Sequence, residues 1–413
     1  MTRIAVTGLG AISALGASLE DNWQAVLAGR GGIERCVMGD SPYGPGGLEL
    51  PMARVAEGYE AAMDAALGKP TAGGLDPFAK LVLAPAIEAL AQSGLRGHPV
   101  LEERTAVIFG HGLGGLATLE AGYERFFGLK SPRLHPSTVP KVMVSAGVSA
   151  AAMAFEVKGP VFAVSSACAS SAHAVAQGAA MIAMGQVDCA LVGGSEAIST
   201  AGCVRAWDAI RAMSPTTCRP FSADRDGMVL GEGGAVMALE SWDHASARGA
   251  TILGELVGWG MSSDAFHITQ PSPEGQARAV RQAVAMAKAS AKAEDWRDDI
   301  LISAHGTGTP LNDAAETQSI VEVFGEAGRK LPVIATKSAH GHLIGGSAVL
   351  QAALGLRALK EGLAPPIQNF NERDPACDLD LVLGEARPIA SKLLLQNAFA
   401  FGGLNVALMF AAA

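Results

Sequence analysis

Several residue classes are scarce in this chain, and each scarcity excludes a class of protein. Only 17% of the 413 residues are charged, aromatic residues make up 5%, and the formal net charge is −9. An acidic chain lacks the basic surface that nucleic acids and anionic membranes attract, so neither is expected as the main partner. No apolar run reaches the roughly 18 residues of a membrane span, and the N-terminus lacks a secretory pattern.

The six cysteines stand at positions 36, 168, 189, 203, 218 and 377, with no Cys-x-x-Cys pair and no regular spacing. A disulfide framework and a zinc site are therefore not expected. We predict reduced thiols and a cytoplasmic location, with no metal in the functional site.

Small and apolar residues are abundant: 49% of the chain is hydrophobic and 50 residues are glycine. Such residues let helices and strands approach closely, as in a layered α/β core. Strands are predicted at Ala106–Phe109, Val161–Val164, Cys189–Val192, Ile300–Ser303, Val333–Thr336 and Leu393–Ala398, and helices at 80–92, 169–185, 313–324 and 347–360. This alternation indicates buried sheets covered by helices. Residues 38–50 and 67–75 are predicted to be surface loops.

A boundary between two halves is predicted near residue 250. Residues 236–250 have the pattern of a strand followed by a short helix, and a new apolar strand begins within 252–258. No Pro/Ser-rich tether lies between them, so we expect halves 1–250 and 251–413 to share one core. Each half carries a reactive residue where a strand ends and a helix begins. That similarity suggests a duplication, although sequence identity alone does not prove a repeat.

Cys168 lies between a predicted strand and a predicted helix of small residues. At a helix start, free backbone N–H groups and the helix dipole favour a thiolate, and we expect the pKa of Cys168 to fall below the ordinary value of about 8.5. Such a cysteine is a good nucleophile toward a thioester. The alternative is a buried, unreactive cysteine, which we keep for the other five.

Two histidines follow predicted strands. His305 lies in a Gly/Thr loop, and Asp313 and Glu316 open the next helix as a variant of the capping box. His342 comes five residues after Lys337, a spacing that favours it over His340 as the functional residue. A single histidine is more often an ordinary polar residue, but two at equivalent strand ends indicate catalysis.

Three other motifs are rejected. His340 and His342 lack a third metal ligand nearby in sequence. Residues 110–115 match G-x-G-x-x-G but lack the acid that a dinucleotide site places about 20 residues later. Residues 193–195 form only part of a serine nucleophile elbow.

Three ordered segments, Ser165–Ser171, Ala304–Thr309 and Lys337–His342, resemble the active-site motifs of elongating β-ketoacyl-[acyl carrier protein] synthases of type II fatty-acid synthesis. The resemblance extends from the strand at Ile4 to the segment Phe399–Asn405. It implies the thiolase fold, a five-layered αβαβα body built from two duplicated halves. It also implies a tight dimer, as a homodimer or as a heterodimer with a chain-length-type subunit.

The resemblance further implies a decarboxylative Claisen condensation. Cys168 would take the acyl group from acyl carrier protein (ACP), and the amides of Cys168 and Phe401 would form the oxyanion hole. His305 and His342 would stabilise the enolate formed when malonyl-ACP loses CO2, and the carbanion would then attack the thioester on Cys168. The products would be 3-oxoacyl-ACP, CO2 and free ACP. No cofactor is expected beyond the 4′-phosphopantetheine of the carrier.

The remaining site residues are also carried over by resemblance. Lys337 and Glu316 would position the two histidines. The substrate-binding positions are Leu113 and Trp207 in the acyl pocket, Thr307 and Thr309 on the pantetheine arm, Phe401 as gatekeeper, and Thr269.

The sequence departs from the family pattern at three places. Gln351 stands where glutamate is frequent, Leu404 replaces a threonine, and the early helix that meets the carrier offers mainly Lys80. A buried ammonium needs a counter-charge, so we hypothesise that Glu316 pairs with Lys337 in this chain. Residues 109–115 and 133–140 are similar to synthases of nodulation-factor or polyene pathways.

Two other functions are compatible with this fold. A CoA-dependent thiolase would need a second cysteine near the C-terminus, and residues 399–405 contain none. A chain-length partner subunit, which is not an enzyme, would have lost the nucleophile, whereas Cys168, His305 and His342 are all present.

Overall fold

The computed structural model describes residues 2–38, 46–290 and 299–413. Its strands are β1 Ile4–Ser13, β2 Glu34–Met38, β3 Leu48–Ala53, β4 Thr105–Gly110, β5 Val161–Val164, β6 Cys189–Glu196, β7 Leu230–Gly231, β8 Gly233–Ser241, β9 Gly254–Ser263, β10 Ile300–Ser303, β11 Pro332–Ile334, β12 Leu363–Ala364, β13 Asp380–Leu381, β14 Arg387–Pro388, β15 Leu393–Ala400 and β16 Leu404–Ala412. Its helices are α1 Leu19–Leu27, α2 Tyr59–Leu67, α3 Pro77–Ser93, α4 Val100–Glu103, α5 Leu116–Tyr123, α6 Thr138–Val142, α7 Ala146–Phe155, α8 Ser170–Ala183, α9 Ala201–Ala209, α10 Trp242–Ala247, α11 Pro273–Ser290, α12 Pro310–Phe324, α13 Lys337–His340 and α14 Ser347–Glu361.

Eleven strands form one sheet in the order β13-β11-β10-β15-β16-β9-β1-β8-β6-β4-β5. The two parts of this sheet meet where β1 pairs with β9, over only three residue pairs from Ile4↔Leu256 to Val6↔Gly254. Such a short junction lets the two parts diverge and stack, with helices between them.

The two parts of the sheet have the same topology. In the first part the order is β5-β4-β6-β8-β1, and in the second it is β11-β10-β15-β16-β9, with β13 as an additional strand beyond β11. In both, the first two pairings in this order are parallel, as β4 with β5 and β6 and as β10 with β11 and β15. The next two pairings are antiparallel in both parts. Matching order and direction therefore support the duplication that the sequence only suggested.

Helices complete five layers. Helices α3 and α7 cover the outer face of the first part of the sheet, and α11 and α12 cover that of the second. Helices α8 and α14 pack against each other and contact strands of both parts, so they form the central layer. Helix α8 is suited to this position because it has no charged side chain and is rich in alanine, which allows close approach on both sides. The expected αβαβα architecture is confirmed.

The predicted elements agree with the observed ones to within a few residues, except at two places. Residues 38–50 were expected to form a loop, but Met38 ends β2 and Leu48 begins β3, while 39–45 lie outside the described residues. Thr336 was assigned to a strand, but it precedes α13. Strands β2 and β3 belong to a separate three-stranded sheet, β2-β3-β7, and β7 is remote from them in sequence. No local pattern reveals such a pairing.

Candidate active site

Residues from both halves converge on one cavity of about 360 Å³. Its wall contains the predicted nucleophile Cys168 and the predicted histidines His305 and His342. The predicted substrate-binding residues Trp207, Thr269, Thr307, Thr309 and Phe401 also line it. The three sequence motifs, which are up to 177 residues apart in the chain from Ser165 to His342, therefore build a single site.

Cys168 lies in a short 3-10 turn, Ala167–Ala169, between β5 and α8. The preceding Ala167 has a φ of 50°, in the left-handed region that alanine rarely adopts. This sharp turn places the thiol at the cavity wall. Ser170 stabilises the turn because its Oγ accepts from the N–H of Ser166 and donates to the carbonyl of Ala167.

The environment of the Cys168 sulfur has two opposing effects. Burial raises the pKa of Cys168 to about 11, whereas Lys337 and the backbone amides of Phe401 and of Cys168 itself lower it. The thiol is therefore protonated at rest, and our expectation of a lowered pKa was wrong because burial outweighs the helix start. The two amides directed at the sulfur are those expected for the oxyanion hole.

His305 follows β10, and its ring is held by Lys337. The Lys337 ammonium lies 3.4 Å from Nδ1 of His305 and donates to the carbonyl of the same residue at 2.6 Å. A protonated lysine can only donate, so Nδ1 must be the acceptor and the ring proton must be on Nε2. Burial and the charge of Lys337 hold the pKa of His305 well below its usual value, so the imidazole is neutral.

Glu316 fixes the backbone of this histidine and not the lysine. Its carboxylate accepts from the N–H groups of His305 and Gly306 at 2.8 and 2.9 Å, and from the side-chain amide of Asn397 at 2.9 Å. Our hypothesis of a Glu316–Lys337 ion pair was wrong: among the described residues, no oxygen of Glu316 lies within ion-pairing distance of Lys337. Burial raises the pKa of Glu316, and its N–H donors oppose that shift.

Gln351 is the side chain that binds Lys337. Its Oε1 accepts from the lysine at 2.6 Å, and its Nε2 donates to the carbonyl of Ala304 at 2.7 Å. All three groups are buried, and desolvation lowers the pKa of Lys337 to about 8. The glutamine thus replaces a charged partner with a neutral acceptor, and the ammonium is correspondingly easier to deprotonate.

His342 is oriented by two donors on its own turn. Its Nδ1 accepts from the N–H of Ile344 at 3.2 Å and lies 2.9 Å from Oγ of Ser347, so its proton is also on Nε2. Burial and Lys337 lower its pKa well below the usual value. Nε2 is buried and has no hydrogen-bond partner among the residues described. The rings of His305 and His342 are perpendicular, with centroids 5.5 Å apart.

His340 does not line the cavity. Its two ring nitrogens are engaged by the hydroxyl of Thr336 and the carbonyl of Gly341. One candidate metal-binding group occurs among the described residues, Cys189 with Glu240 and His244. It lies outside the cavity, and the guanidinium of Arg248 already binds both oxygens of Glu240.

The predicted substrate-binding residues occupy different places. Trp207 and Phe401 stack with ring centroids 6.1 Å apart, so the proposed gatekeeper has an aromatic neighbour. The hydroxyls of Thr307 and Thr309 lie 2.8 Å apart beside the cavity. Leu113 is not in the wall of this cavity, and 43% of its surface is exposed.

Three side chains complete the site through contacts that the sequence did not indicate. Asn397 and Ser347 bind Glu316 and His342, and Asp313 accepts from the N–H groups of Thr307, Gly308 and Phe221. The position of Asp313 in the first turn after a Gly/Thr loop was visible in sequence as a helix cap, but its link to Phe221 was not. Asn397 gave no signal because it lies inside a buried strand.

No helix among the described residues combines the length and the apolar character needed to cross a membrane.

Comparison with known proteins identifies relatives that match this chain over nearly its whole length. Residues 1–245 match the family described as "Beta-ketoacyl synthase, N-terminal domain", and residues 253–371 match the C-terminal domain. Nodulation protein E of Rhizobium sp. (strain N33) is 37% identical, covering 99% of this chain and 98% of the relative. 3-oxoacyl-[acyl-carrier-protein] synthase 2 of Vibrio cholerae is 34% identical with the same coverage.

Solved structures agree with these relatives. The ishigamide ketosynthase/chain length factor superposes with a TM-score of 0.91 at 29% identity, covering 100% of this chain and 99% of the other. A β-ketoacyl synthase from Burkholderia phymatum superposes with a TM-score of 0.86 at 30% identity and covers both chains fully. The chain therefore belongs to the β-ketoacyl synthase family, the thiolase-fold ketosynthases that act as acyltransferases.

Proposed function

We propose that this enzyme condenses an acyl group held on Cys168 with malonyl-ACP, giving 3-oxoacyl-ACP, CO2 and free ACP. The observation that carries the proposal is the convergence of Cys168, His305 and His342 on one cavity, with two backbone amides directed at the sulfur. The reaction is written with ACP thioesters because the family relatives include 3-oxoacyl-[acyl-carrier-protein] synthases.

The first step transfers the acyl group. The sulfur of Cys168 attacks the thioester carbonyl of acyl-ACP, and the amides of Cys168 and Phe401 donate to the oxyanion that forms. The carbon–sulfur bond to the carrier breaks, and the thiol proton of Cys168 ends on the carrier sulfur. Burial raises the pKa of the unacylated Cys168, while Lys337 and the two amides lower it and so favour the thiolate that attacks.

The second step uses the two neutral histidines. Each has its proton on Nε2, and both rings border the cavity, so both can donate to the thioester oxygen of malonyl-ACP as CO2 leaves. A positively charged histidine is not needed, because the developing enolate is stabilised by fixed dipoles in a dry site. The enolate carbon then attacks the acyl carbon, and the Cys168 sulfur leaves and regains a proton.

The pantetheine arm would enter beside Thr269, Thr307 and Thr309. These residues provide hydroxyl groups along a wall that also contains Phe401 and Trp207. We propose no resident cofactor and no metal: the 4′-phosphopantetheine belongs to the carrier and arrives with the substrate.

We also propose a dimer. β5 is the last strand of the sheet at one side, so its outer edge has unpaired backbone groups. Exposed apolar side chains are found on β5 and on the segment 113–143, namely Phe162, Leu113, Phe126, Phe127, Val139 and Met143. A second copy would cover this face and would place Leu113 against the partner. A heterodimer with a chain-length-type subunit is the alternative, and in it this chain, which retains Cys168, would be the ketosynthase.

The proposed location is the cytoplasm. All six cysteines are free thiols, as in a reducing compartment.

Malonyl-ACP decarboxylation, measured with and without Cys168→Ala, tests the function. The unmodified enzyme should release CO2 and, with acyl-ACP present, form 3-oxoacyl-ACP. Cys168→Ala should still release CO2 but form no condensation product. A thiolase would act on CoA thioesters without releasing CO2. A chain-length subunit alone would neither release CO2 nor form 3-oxoacyl-ACP.

A further inference from the structure

Glu196 is a buried carboxylate to which the proposed reaction assigns no role. It ends β6, has no exposed surface, and makes no ion pair within the described part of the chain. A charge in such a place requires compensation by hydrogen bonds. The groups that donate hydrogen bonds to Glu196 are therefore the groups that its carboxylate holds in place.

Its two oxygens receive backbone N–H groups from two separate segments. Oε2 accepts from Gly112 at 2.7 Å and from Gly345 at 3.1 Å, and Oε1 accepts from Leu113 at 3.2 Å. Gly112 lies in the loop after β4, and Gly345 lies in the turn after His342. One carboxylate thus joins a loop of the first half to a turn of the second.

The turn at Gly345 orients His342. Ile344 has a φ of 39°, a strained conformation for a β-branched residue, and its N–H donates to Nδ1 of His342. The next N–H along the chain, that of Gly345, is the one held by Glu196. Without the hydrogen bond from Gly345 to Glu196, the strained turn would be free to relax, and the N–H of Ile344 would no longer be held against Nδ1 of His342.

The loop and the turn pack closely around the carboxylate, and this close approach requires glycine at both contact positions. A Cβ added at Gly112 would lie 2.8 Å from both Glu196 Oε2 and Cγ2 of Ile344, and one at Gly345 would lie 2.7 Å from the N atom of Gly112. Ile344 also packs in the apolar cluster that contains Cys168. The loop and the turn therefore meet at Glu196, and Ile344 connects the turn to the cluster around the nucleophile.

We propose that Glu196 is a positioning residue that holds the Ile344 turn in register with residues 112–114 and so fixes the ring of His342 for decarboxylation. The inference rests on the proposed function and adds to it a residue that touches no reacting atom. It acts through His342, so it should affect CO2 release more than the reactivity of Cys168.

The matched control is Glu88 on α3. It is also a mostly buried carboxylate that accepts backbone N–H groups, from Ala11 and Leu19, but it does not line the cavity. Glu88→Ala should lower stability while leaving the chemistry of the site unchanged.

The experiment measures two rates on each variant: CO2 release from malonyl-ACP and alkylation of Cys168 by iodoacetamide. Glu196→Ala should lower CO2 release roughly 10- to 100-fold, the effect of losing a hydrogen bond to a charged group, and should leave alkylation of Cys168 unchanged or faster, because the charge of Glu196 raises the pKa of that thiol. Glu196→Gln should recover part of the loss, because its amide oxygen can still accept from Gly112 and Gly345.

Equal CO2 release by Glu196→Ala and Glu88→Ala would overturn the proposal, and so would equal losses in both rates. Should Glu196→Ala fail to fold, Glu196→Gln compared with Glu88→Gln decides by the same criterion. If the unmodified enzyme releases no CO2, the proposed function itself is wrong. That result differs from one in which the unmodified enzyme releases CO2 and Glu196→Ala has no effect on the rate.

Discussion

Each part of the sheet has a histidine just beyond its second strand, and the two histidines have different surroundings: His111 is the first residue after its strand and His305 is the second. His111 follows β4 and His305 follows β10, the second strand of each repeat. His111 is fully buried, its Nδ1 faces the carbonyl and hydroxyl of Ser195, and its ring packs edge-on against Phe78. His305 borders a cavity and is held by an ammonium.

The contrast separates what topology provides from what side chains provide. The duplicated strand order creates equivalent positions at the strand ends, but only the second half adds Lys337, Glu316 and open space. Burial lowers the pKa of His111 to about 4, so it too is neutral, and neutrality alone does not make a histidine functional. The strands next to these two also end at functional residues that differ between the halves, Cys168 in the first half and His342 in the second.

The largest expected effect comes from the nucleophile. Cys168→Ala should lower condensation by on the order of 10⁴-fold or more, and Cys168 should be the only cysteine acylated by acyl-ACP. Cys203→Ala is the control, because Cys203 packs in the same apolar cluster but does not line the cavity. Mass spectrometry of the acylated protein identifies the modified residue. Stoichiometric acylation elsewhere, with Cys168 free, would contradict the assignment.

The comparison of the two histidines can be tested directly. His305→Asn should lower malonyl-ACP decarboxylation by roughly 10²- to 10³-fold, the usual effect of removing one donor to a developing oxyanion. His111→Asn should lower the melting temperature and leave the decarboxylation rate of the folded enzyme close to that of the unmodified enzyme. Similar rate losses in both variants would show that the two positions are not functionally distinct.

A smaller effect on activity is expected from the protonation state of Lys337, the ammonium that contacts His305. The pKa of Lys337 is lowered to about 8, so activity should fall as pH rises through that value, because the deprotonated amine no longer donates reliably to Nδ1. Gln351→Glu should raise the pKa of Lys337 and move the fall to higher pH, since an adjacent carboxylate favours the ammonium.

Gln351→Met, which removes the acceptor without adding charge, should move the fall in activity to lower pH. The measurement is the pH profile of decarboxylation for the three enzymes. Identical midpoints would show that Lys337 does not govern the alkaline limb.

The smallest expected effect concerns substrate choice. Trp207 is only partly buried and stacks on Phe401, so Trp207→Ala should enlarge the cavity beside the gatekeeper at a modest cost in stability. In a competition between short and long acyl-ACPs, preference should shift toward the long chain by roughly tenfold or less. Trp242→Ala, on the outer surface beside Arg3, is the control. An unchanged preference in Trp207→Ala would make the indole purely structural.

Much of this site could be predicted from sequence because its signals are local. Cys168, His305 and His342 each follow a short apolar strand, and the strand-to-helix turns that place them are visible as patterns of small residues. The strands at Val161–Val164 and Ile300–Ser303 were predicted with the observed limits. The division at residues 250 and 251 stays a prediction.

The errors have a common physical cause, which is dependence on distant residues. The pKa of Cys168 is set by burial that only the assembled core produces. Lys337 is bound by Gln351, fourteen residues away, and not by Glu316, which approaches from another helix to hold the backbone of His305. Leu113 lies outside the cavity, with 43% of its surface exposed. Sequence patterns identify the chemically active residues better than they identify their partners.

The central claim is that one condensation uses both halves: the thiol of one half holds the acyl group, and the two imidazoles of the other stabilise the enolate that attacks it. A single-turnover chase tests it: the enzyme is acylated at Cys168 with isotopically labelled acyl-ACP, freed of carrier, and mixed with malonyl-ACP. Intact-mass analysis should show the label leaving Cys168 as 3-oxoacyl-ACP forms, at a rate that His305→Asn slows and His111→Asn does not. Loss of the label as free acid, or its return to ACP without a new carbon–carbon bond, would contradict the account.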